Sequence, residues 1–163
     1  MKRVVYLLLI LFTVNTFAVE IGLKAGYMKG VTDNFKDYSS LPAFGFDLGM
    51  SFMIVKVSGE VMYFSASHKD YSDLKIKDTA LNINVALKVP FIGIYGGIGT
   101  GIHFVKAESP FGSSDTESKN GFNIFAGYEL PLPLISPFLE LRYVNVKDNL
   151  SHLMILAGIN LGF

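Results

Sequence analysis

The sequence predicts a single all-β domain, an eight-stranded antiparallel up-and-down transmembrane β-barrel, and three observations predict it. The last segment alternates, with Leu153, Ile155, Ala157, Ile159, Leu161 and Phe163 on one face and His152, Met154, Leu156, Gly158, Asn160 and Gly162 on the other. Strand side chains alternate with period two, so the first set is an unbroken apolar stripe. The same parity carried through every segment gives one face without a charge. The connections alternate between long polar stretches and tight turns, and only a closed barrel lets such strands face lipid with every backbone group paired.

The first residues read as an export leader. Lys2 and Arg3 precede an apolar run from Val4 to Phe12, and Thr16-Phe17-Ala18 supplies small residues at the cleavage position. A retained helix would need about 20 apolar residues, and Thr13, Asn15 and Thr16 interrupt the run. Cleavage is therefore expected after Ala18, giving a leader of residues 1–18 and a barrel domain of residues 19–163. Removing Lys2 and Arg3 leaves 12 basic against 14 acidic side chains, a formal charge of −2. Nothing in that balance suggests a nucleic-acid partner. The chain has no cysteine, which excludes disulfides, thiol chemistry and a lipoprotein anchor.

Period-two reading places strands at residues 20–29, 43–53, 55–65, 79–89, 92–104, 121–130, 138–146 and 152–163. Their length suits a tilted strand that crosses a bilayer in about 9–11 residues. The connections at 31–42, 66–78, 105–120 and 147–151 are polar and mostly long. Those at Ile54, Pro90-Phe91 and 131–137 are tight or bear proline. Long loops on one side and short turns on the other are the outer-membrane arrangement, which predicts both termini on the periplasmic side. Leu74 and Ile76 have the opposite parity to Leu81, Ile83 and Val85, which predicts a strand start standing above the membrane rather than a bulge.

Taking one parity per strand collects 38 positions, from Ile21 to Phe163, and none is charged. With 17% of the chain charged, a random set of that size would hold about six charges, and each Lys or Arg at mid-depth would cost about 2–4 kcal/mol. The opposite face carries Lys24, Asp47, Lys56, Glu60, Lys88, Glu129, Glu140 and Arg142 among Gly, Ser and Asn. An eight-stranded barrel is just wide enough for its own side chains, so these four bases and four acids are expected to pair as an interior charge network. Tyr27, Phe44, Tyr63, Phe104 and Tyr143 on one rim, and Phe52, Tyr128 and Phe163 on the other, are expected to form the two interfacial girdles. A soluble lipocalin-like barrel, apolar inside, is the architectural rival.

Candidate chemistry is sparse. His68 lies between Ser67 and Asp70, the ingredients of acyl chemistry, but neighbours on an exposed loop rarely hold a nucleophile, base and orienter in mutual reach. His103 and His152 point inward near the outer mouth and could face each other, as a polar plug more readily than a metal site, because no third ligand is evident. Glu129 and Glu140 are read as structural partners of Arg142 rather than an acid/base pair. No cofactor and no catalytic residue is expected. Phe35, Tyr38 and Phe111 are expected as exposed loop aromatics able to anchor a surface ligand, and the loop at 105–119 as solvated.

Two segments and the chain end resemble a known family. Ile94-Tyr95-Gly96-Gly97-Ile98-Gly99-Thr100-Gly101 resembles the fifth strand, and Ser136-Pro137-Phe138-Leu139-Glu140-Leu141-Arg142-Tyr143 the seventh, of the small outer-membrane barrel domains of the OmpA/OmpX type. The ending Gly158, Leu161, Phe163 is similar to the signal read by the outer-membrane assembly machinery, with Leu156 where a polar residue is more usual. The resemblance implies outer-membrane location, lipid contacts and that machinery as partners. With nothing after Phe163, the peptidoglycan-binding domain of some relatives is expected to be absent. It implies a non-enzymatic envelope or surface-interaction protein; the alternatives are a conduit for small hydrophobic molecules, using inward Met28, Met62, Phe64, Phe125 and Met154, and a lipid-modifying enzyme using His68 or His152.

Overall fold

The computed structural model describes residues 17–163 apart from Asn34, Ser72, Pro90 and Pro133. Most of the expected leader lies outside the described residues, while Phe17 and Ala18 already pair with Phe52 and Ser51. The strands are β1 (Phe17–Gly30), β2 (Tyr38–Phe52), β3 (Val55–His68), β4 (Lys75–Lys88), β5 (Ile94–Ser109), β6 (Gly112–Ser113), β7 (Glu117–Glu129), β8 (Ile135–Val146) and β9 (His152–Gly162). All but the two-residue β6 form one antiparallel sheet in which each strand pairs with its chain neighbour. The β1–β9 and β4–β5 pairings close it. Residues of opposite parity divide the wall: Leu23, Phe46, Leu48, Val61, Ile83, Ile98, Ile124 and Ile155 stand exposed outside, while Lys24, Glu60, Asn84, Asn123, Arg142 and Met154 are buried inside. The wall is thus apolar and uncharged outside and carries its charges inside, the inverse of a soluble barrel.

Register fixes the tilt. Following direct partners from Phe17 through Phe52, Val55, Leu87, Gly96, Ala126, Leu141 and Ile155 returns to β1 at Tyr27, ten residues further along. A stagger of ten over eight strands tilts them by about 40°. Tyr27 therefore stands about 25 Å above Phe17 at ~3.3 Å per residue, which equals the apolar band of such barrels.

The strands are longer at the loop end than the sequence pattern indicates. β2 starts at Tyr38 rather than residue 43, because one extra residue is absorbed as a bulge beside Pro42. The partners of β1 jump from Ala43 to Ser40 while β1 advances only from Gly26 to Met28, and proline is tolerated at such a break in the ladder. β3 and β4 stay in unbroken register up to the Ser67–Lys75 pair, so β4 has no bulge and Ile76 turns inward against the core. The third loop is a ribbon: β5 runs to Ser109 and β6 pairs with it. β8 begins at Ile135, taking Pro137 into the β9 pairing.

The turns need left-handed backbone at Met53, Phe91, Leu134, Asp148 and Asn149, and at Gly93. Inside the wall, glycine is required where strands crowd the lumen. A Cβ on Gly26 would lie 1.9 Å from the Ile155 carbonyl oxygen and 2.8 Å from the Leu156 Cα. Since backbone atoms cannot move aside as a side chain can, Gly26→Ala is expected to cost at least the 1–3 kcal/mol or so typical of overpacking, read as a lowered urea midpoint of the folded band on a gel.

Candidate functional site

The interior side chains sort into two layers. The layer toward the turns is ionic. Arg142, 2% exposed, reaches Glu140 at 2.8 Å and also pairs with Glu60. Lys24 links Glu60 at 2.5 Å to Asp47 at 3.3 Å. Lys56 links Asp47 at 3.2 Å to Glu20 at 2.9 Å, and Lys88 links Glu20 at 3.0 Å to Glu129 at 3.1 Å. The result is one unbranched chain of alternating sign, from Glu140 through Arg142, Glu60, Lys24, Asp47, Lys56, Glu20 and Lys88 to Glu129. All eight network residues named from the sequence lie on it. The ninth member, Glu20, was outside that set although its inward parity marks it, so five acids face four bases.

Hydrogen bonds complete the chain. Tyr95 Oη donates to Glu140 at 3.1 Å, Asn82 to Glu60 at 3.1 Å and Asn160 to Glu129 at 2.5 Å, while Ser51 donates to Glu20. The Arg142 guanidinium lies 4.9 Å over the Phe125 ring. Such stacking adds to an ion pair when water is displaced. Burying charges stabilises only when partners are complete, and the alternating order gives each cation at least two anionic contacts. The sequence reading of Glu129 needs correction: it partners Lys88 and Asn160, while Arg142 serves Glu140 and Glu60. Paired to separate cations, the two carboxylates do not form an acid/base couple. The space left between these groups is a cavity of about 30 Å³, enough for a water or two.

The layer toward the loops is an apolar and aromatic plug. Met28, Phe35, Ala43, Met62, Phe64, Ala66, Ala80, Val144, Val146, Met154 and Leu156 form one cluster, with Tyr38, Ile76 and Leu150 packed on it. Phe125 belongs elsewhere, stacked with Tyr95, Ala86 and Phe138 beside the ionic layer, so it does not line the outer half of the lumen. Phe35 and Tyr38 also correct the sequence reading. Phe35 is 1% exposed, turned into the mouth edge-on to His152 at 6.1 Å, with Tyr38 5.4 Å away. The first loop is held there by a turn in which the Phe35 and Lys36 amides donate to the Thr32 carbonyl, and by bonds from Val31 to Ser151 and from Lys69 to Asp37. Of the three loop aromatics only Phe111, at the third-loop tip, is fully exposed.

The histidines occupy the same plug. His103 and His152 do face each other, with ring centroids 6.4 Å apart. His103 Nδ1 pairs with Asp78 at 2.7 Å, and His152 Nδ1 lies 3.1 Å from the Leu150 carbonyl. Among the described residues no group of three His, Asp or Glu side chains converges as a metal site. His68 ends β3 rather than lying in a loop, wedged between Tyr38 and Tyr71 at 5.0 and 5.4 Å. Its Nδ1 accepts from the Asp70 backbone amide at 3.1 Å instead of donating to the carboxylate, so Asp70 does not orient it as a catalytic base. In the fourth loop, Asp148 receives a 2.7 Å hydrogen bond from Lys119, which holds its carboxyl below the usual value.

At the seam between β1 and β9, Phe163 and Val19 exchange backbone hydrogen bonds of 2.9 and 3.1 Å. Gly158 sits where a Cβ would meet the Leu23 carbonyl at 2.2 Å and the Phe138 ring at 2.6 Å. Leu161 pairs with Ile21 and Ile135. Gly158 and Leu161 thus lie on the strand that closes the barrel, and Phe163 follows directly after it.

A closed eight-stranded wall with a lipid-compatible exterior and a filled interior defines a small transmembrane β-barrel of the outer-membrane type. No protein-family model and no curated protein sequence matches the chain. Solved structures do. The chain is similar to Neisserial surface protein A (NspA), with a TM-score of 0.66 and 11% identity over 91% of this chain and 98% of that one. It is similar to Ail, the attachment invasion locus protein of Yersinia pestis, at TM-score 0.58 and 19% identity over 90% and 97% of the two chains. It is also similar to the N-terminal β-barrel domain of Pseudomonas aeruginosa OprF, at 0.58 and 13% over 90% and 97%. At such identities the likeness is one of fold.

Proposed function

We propose that this chain is an integral outer-membrane protein that neither conducts nor catalyses, and that serves envelope structure or surface interaction through its loop end. In this reading the leader is removed after Ala18, and the assembly machinery recognises Gly158 and Leu161 on the closing strand and Phe163 directly after it. Both termini and the short turns face the periplasm. The observation that carries the closed-barrel reading is the plug. Met28 and Leu156 have no accessible surface at all and Phe35, Val146, Met154 and His152 have 2% or less, so water does not reach across this layer. That also counts against a hydrophobic conduit, whose lumen would have to admit a molecule larger than water.

Surface interaction is supported by the loop end. Phe111 projects freely on its ribbon. On the outer wall Lys77 lies directly opposite Lys106, and Lys75 opposite Glu108, two and four residues above Thr79 in the girdle row that Tyr63 and Phe104 share. Lys77 pairs diagonally with Glu108 at 2.8 Å, so three lysines share one acid, and that surplus of positive charge suits an anionic surface partner. Ail has been crystallised with the heparin analogue sucrose octasulfate, which makes that compound a practical probe here.

The absence of cysteine permits a direct test by single substitution. Ser114→Cys in the third loop is expected to react with a membrane-impermeant maleimide on intact cells, and Leu132→Cys in the third turn only after the outer membrane is broken. Purified barrel in planar bilayers is expected to give no ion conductance. Labelling of Leu132→Cys alone on intact cells would reverse the orientation, and steady conductance would overturn the closed-barrel reading.

A further inference from the structure

The turn end of the barrel carries an apolar collar that the lipid-facing wall does not by itself require. Residues 17–19, 52–55, 89, 91–94, 130–132, 134–135 and 161–163 make up that end, and none of them has a polar side chain. Met53 and Ile54 in the first turn, Phe91 and Ile92 in the second, and Leu132 and Leu134 in the third are all exposed, Phe91 at 86% and Leu134 at 70%. Phe163 stands in the same ring at 74%. Exposed tips of short turns are ordinarily the place for Asn, Asp, Ser and Gly. A contiguous apolar surface on every side of one end marks contact with a partner or a membrane.

The geometry points to lipid as that partner. We infer that the turn tips lie within the headgroup and acyl boundary of the adjoining leaflet, anchoring the barrel flush with it instead of projecting into water. Three observations favour this over a protein partner. The collar runs round all three turns and the chain ends, where a docked protein would cover one side. It is continuous with the lipid-facing wall through Phe52, Val55, Ile94 and Ile135, which are exposed or, for Val55, half-exposed. Its height also fits: Phe17, level with the first turn through its Phe52 partner, lies ten residues below Tyr27, so the turns fall at the edge of a ~25 Å apolar band. At the centre of the collar an opening of about 240 Å³ reaches Glu20, Lys88 and Glu129, so the ionic floor stays in contact with water while the surrounding turn tips do not need it.

The inference rests on the membrane reading above, and the test separates the two. Four single-cysteine variants, Ile54→Cys, Leu132→Cys, Leu48→Cys and Ser114→Cys, are labelled with an environment-sensitive fluorophore and reconstituted in vesicles of phosphatidylethanolamine and phosphatidylglycerol. Leu48 on the mid-wall and Ser114 in the loop serve as the lipid and water references. Positions 54 and 132 are expected to emit between the two references and to be quenched by lipids brominated near the headgroup more than by lipids brominated deep in the chain. Water-like emission at both positions, without quenching, while Leu48→Cys is quenched by deep bromines, would overturn the collar and leave the membrane barrel intact. That pattern combined with protection of both positions from maleimide in cells whose outer membrane has been broken would assign the collar to a protein. An unquenched Leu48→Cys would remove the membrane reading itself.

Discussion

Replacing Arg142 with methionine is expected to lower folding stability by about 3–5 kcal/mol, the scale for removing one partner of a buried ion pair. Arg142 joins Glu140 to Glu60, both buried, and Glu60 is the anion through which Lys24 and the rest of the chain connect. Methionine keeps the stem volume but leaves Glu140 with only the Tyr95 hydroxyl and halves the cationic contacts of Glu60. The check is urea titration of the protein in vesicles, followed by the folded fraction on an unboiled gel. Adding Glu140→Gln and Glu60→Gln should restore much of the loss, since a neutral amide costs less to bury than an unpaired carboxylate. A midpoint unchanged in R142M would mean that the ionic chain contributes nothing to the fold.

Leu48→Arg is the second large effect. Leu48 is exposed on the outer face of β2, four residues from Phe52 at one girdle and four from Phe44 at the other, which places it near mid-depth. An arginine there is expected to cost about 2–4 kcal/mol in a bilayer. In water the same exposed position would accept arginine within about 0.5 kcal/mol, as surface positions usually do. The contrast with Leu48→Ala under the same urea titration isolates the charge. Its neighbour Asp47, one residue away, already carries a charge without harm because it points inward to Lys24 and Lys56.

That one-residue contrast explains how much was legible in the sequence. Parity separates Asp47 from Leu48, and Arg142 from Leu141, without knowledge of any distance, so the eight strands, the uncharged outer wall and eight members of the ionic chain all follow from period two. Glu20 has the inward parity as well, but at the first residue of its segment a single side chain carries no alternation to read. The order of pairing, Lys88 with Glu129 and Arg142 with Glu60, depends on the stagger of ten, which accumulates over all eight strands and has no local signature. Phe35 shows a different limit. A polar loop bearing one aromatic reads as a surface segment, and only the turn at Thr32 and the bonds to Ser151 and Asn149 fold it over the mouth. The loop-end extensions of β2 through β7 escaped for a related reason: above the membrane the outward face turns polar, as at Lys75, Lys77 and Lys106, so the apolar stripe ends although the ladder continues.

The central claim, lipid outside and a filled ionic and aromatic interior, is tested most directly by gel mobility of the mature chain folded in detergent, with and without boiling. A barrel whose wall is sealed by eight continuous pairings should migrate as a compact band unboiled and shift on heating. An unshifted band, with the protein soluble in plain buffer, would contradict the account and put the apolar face inside.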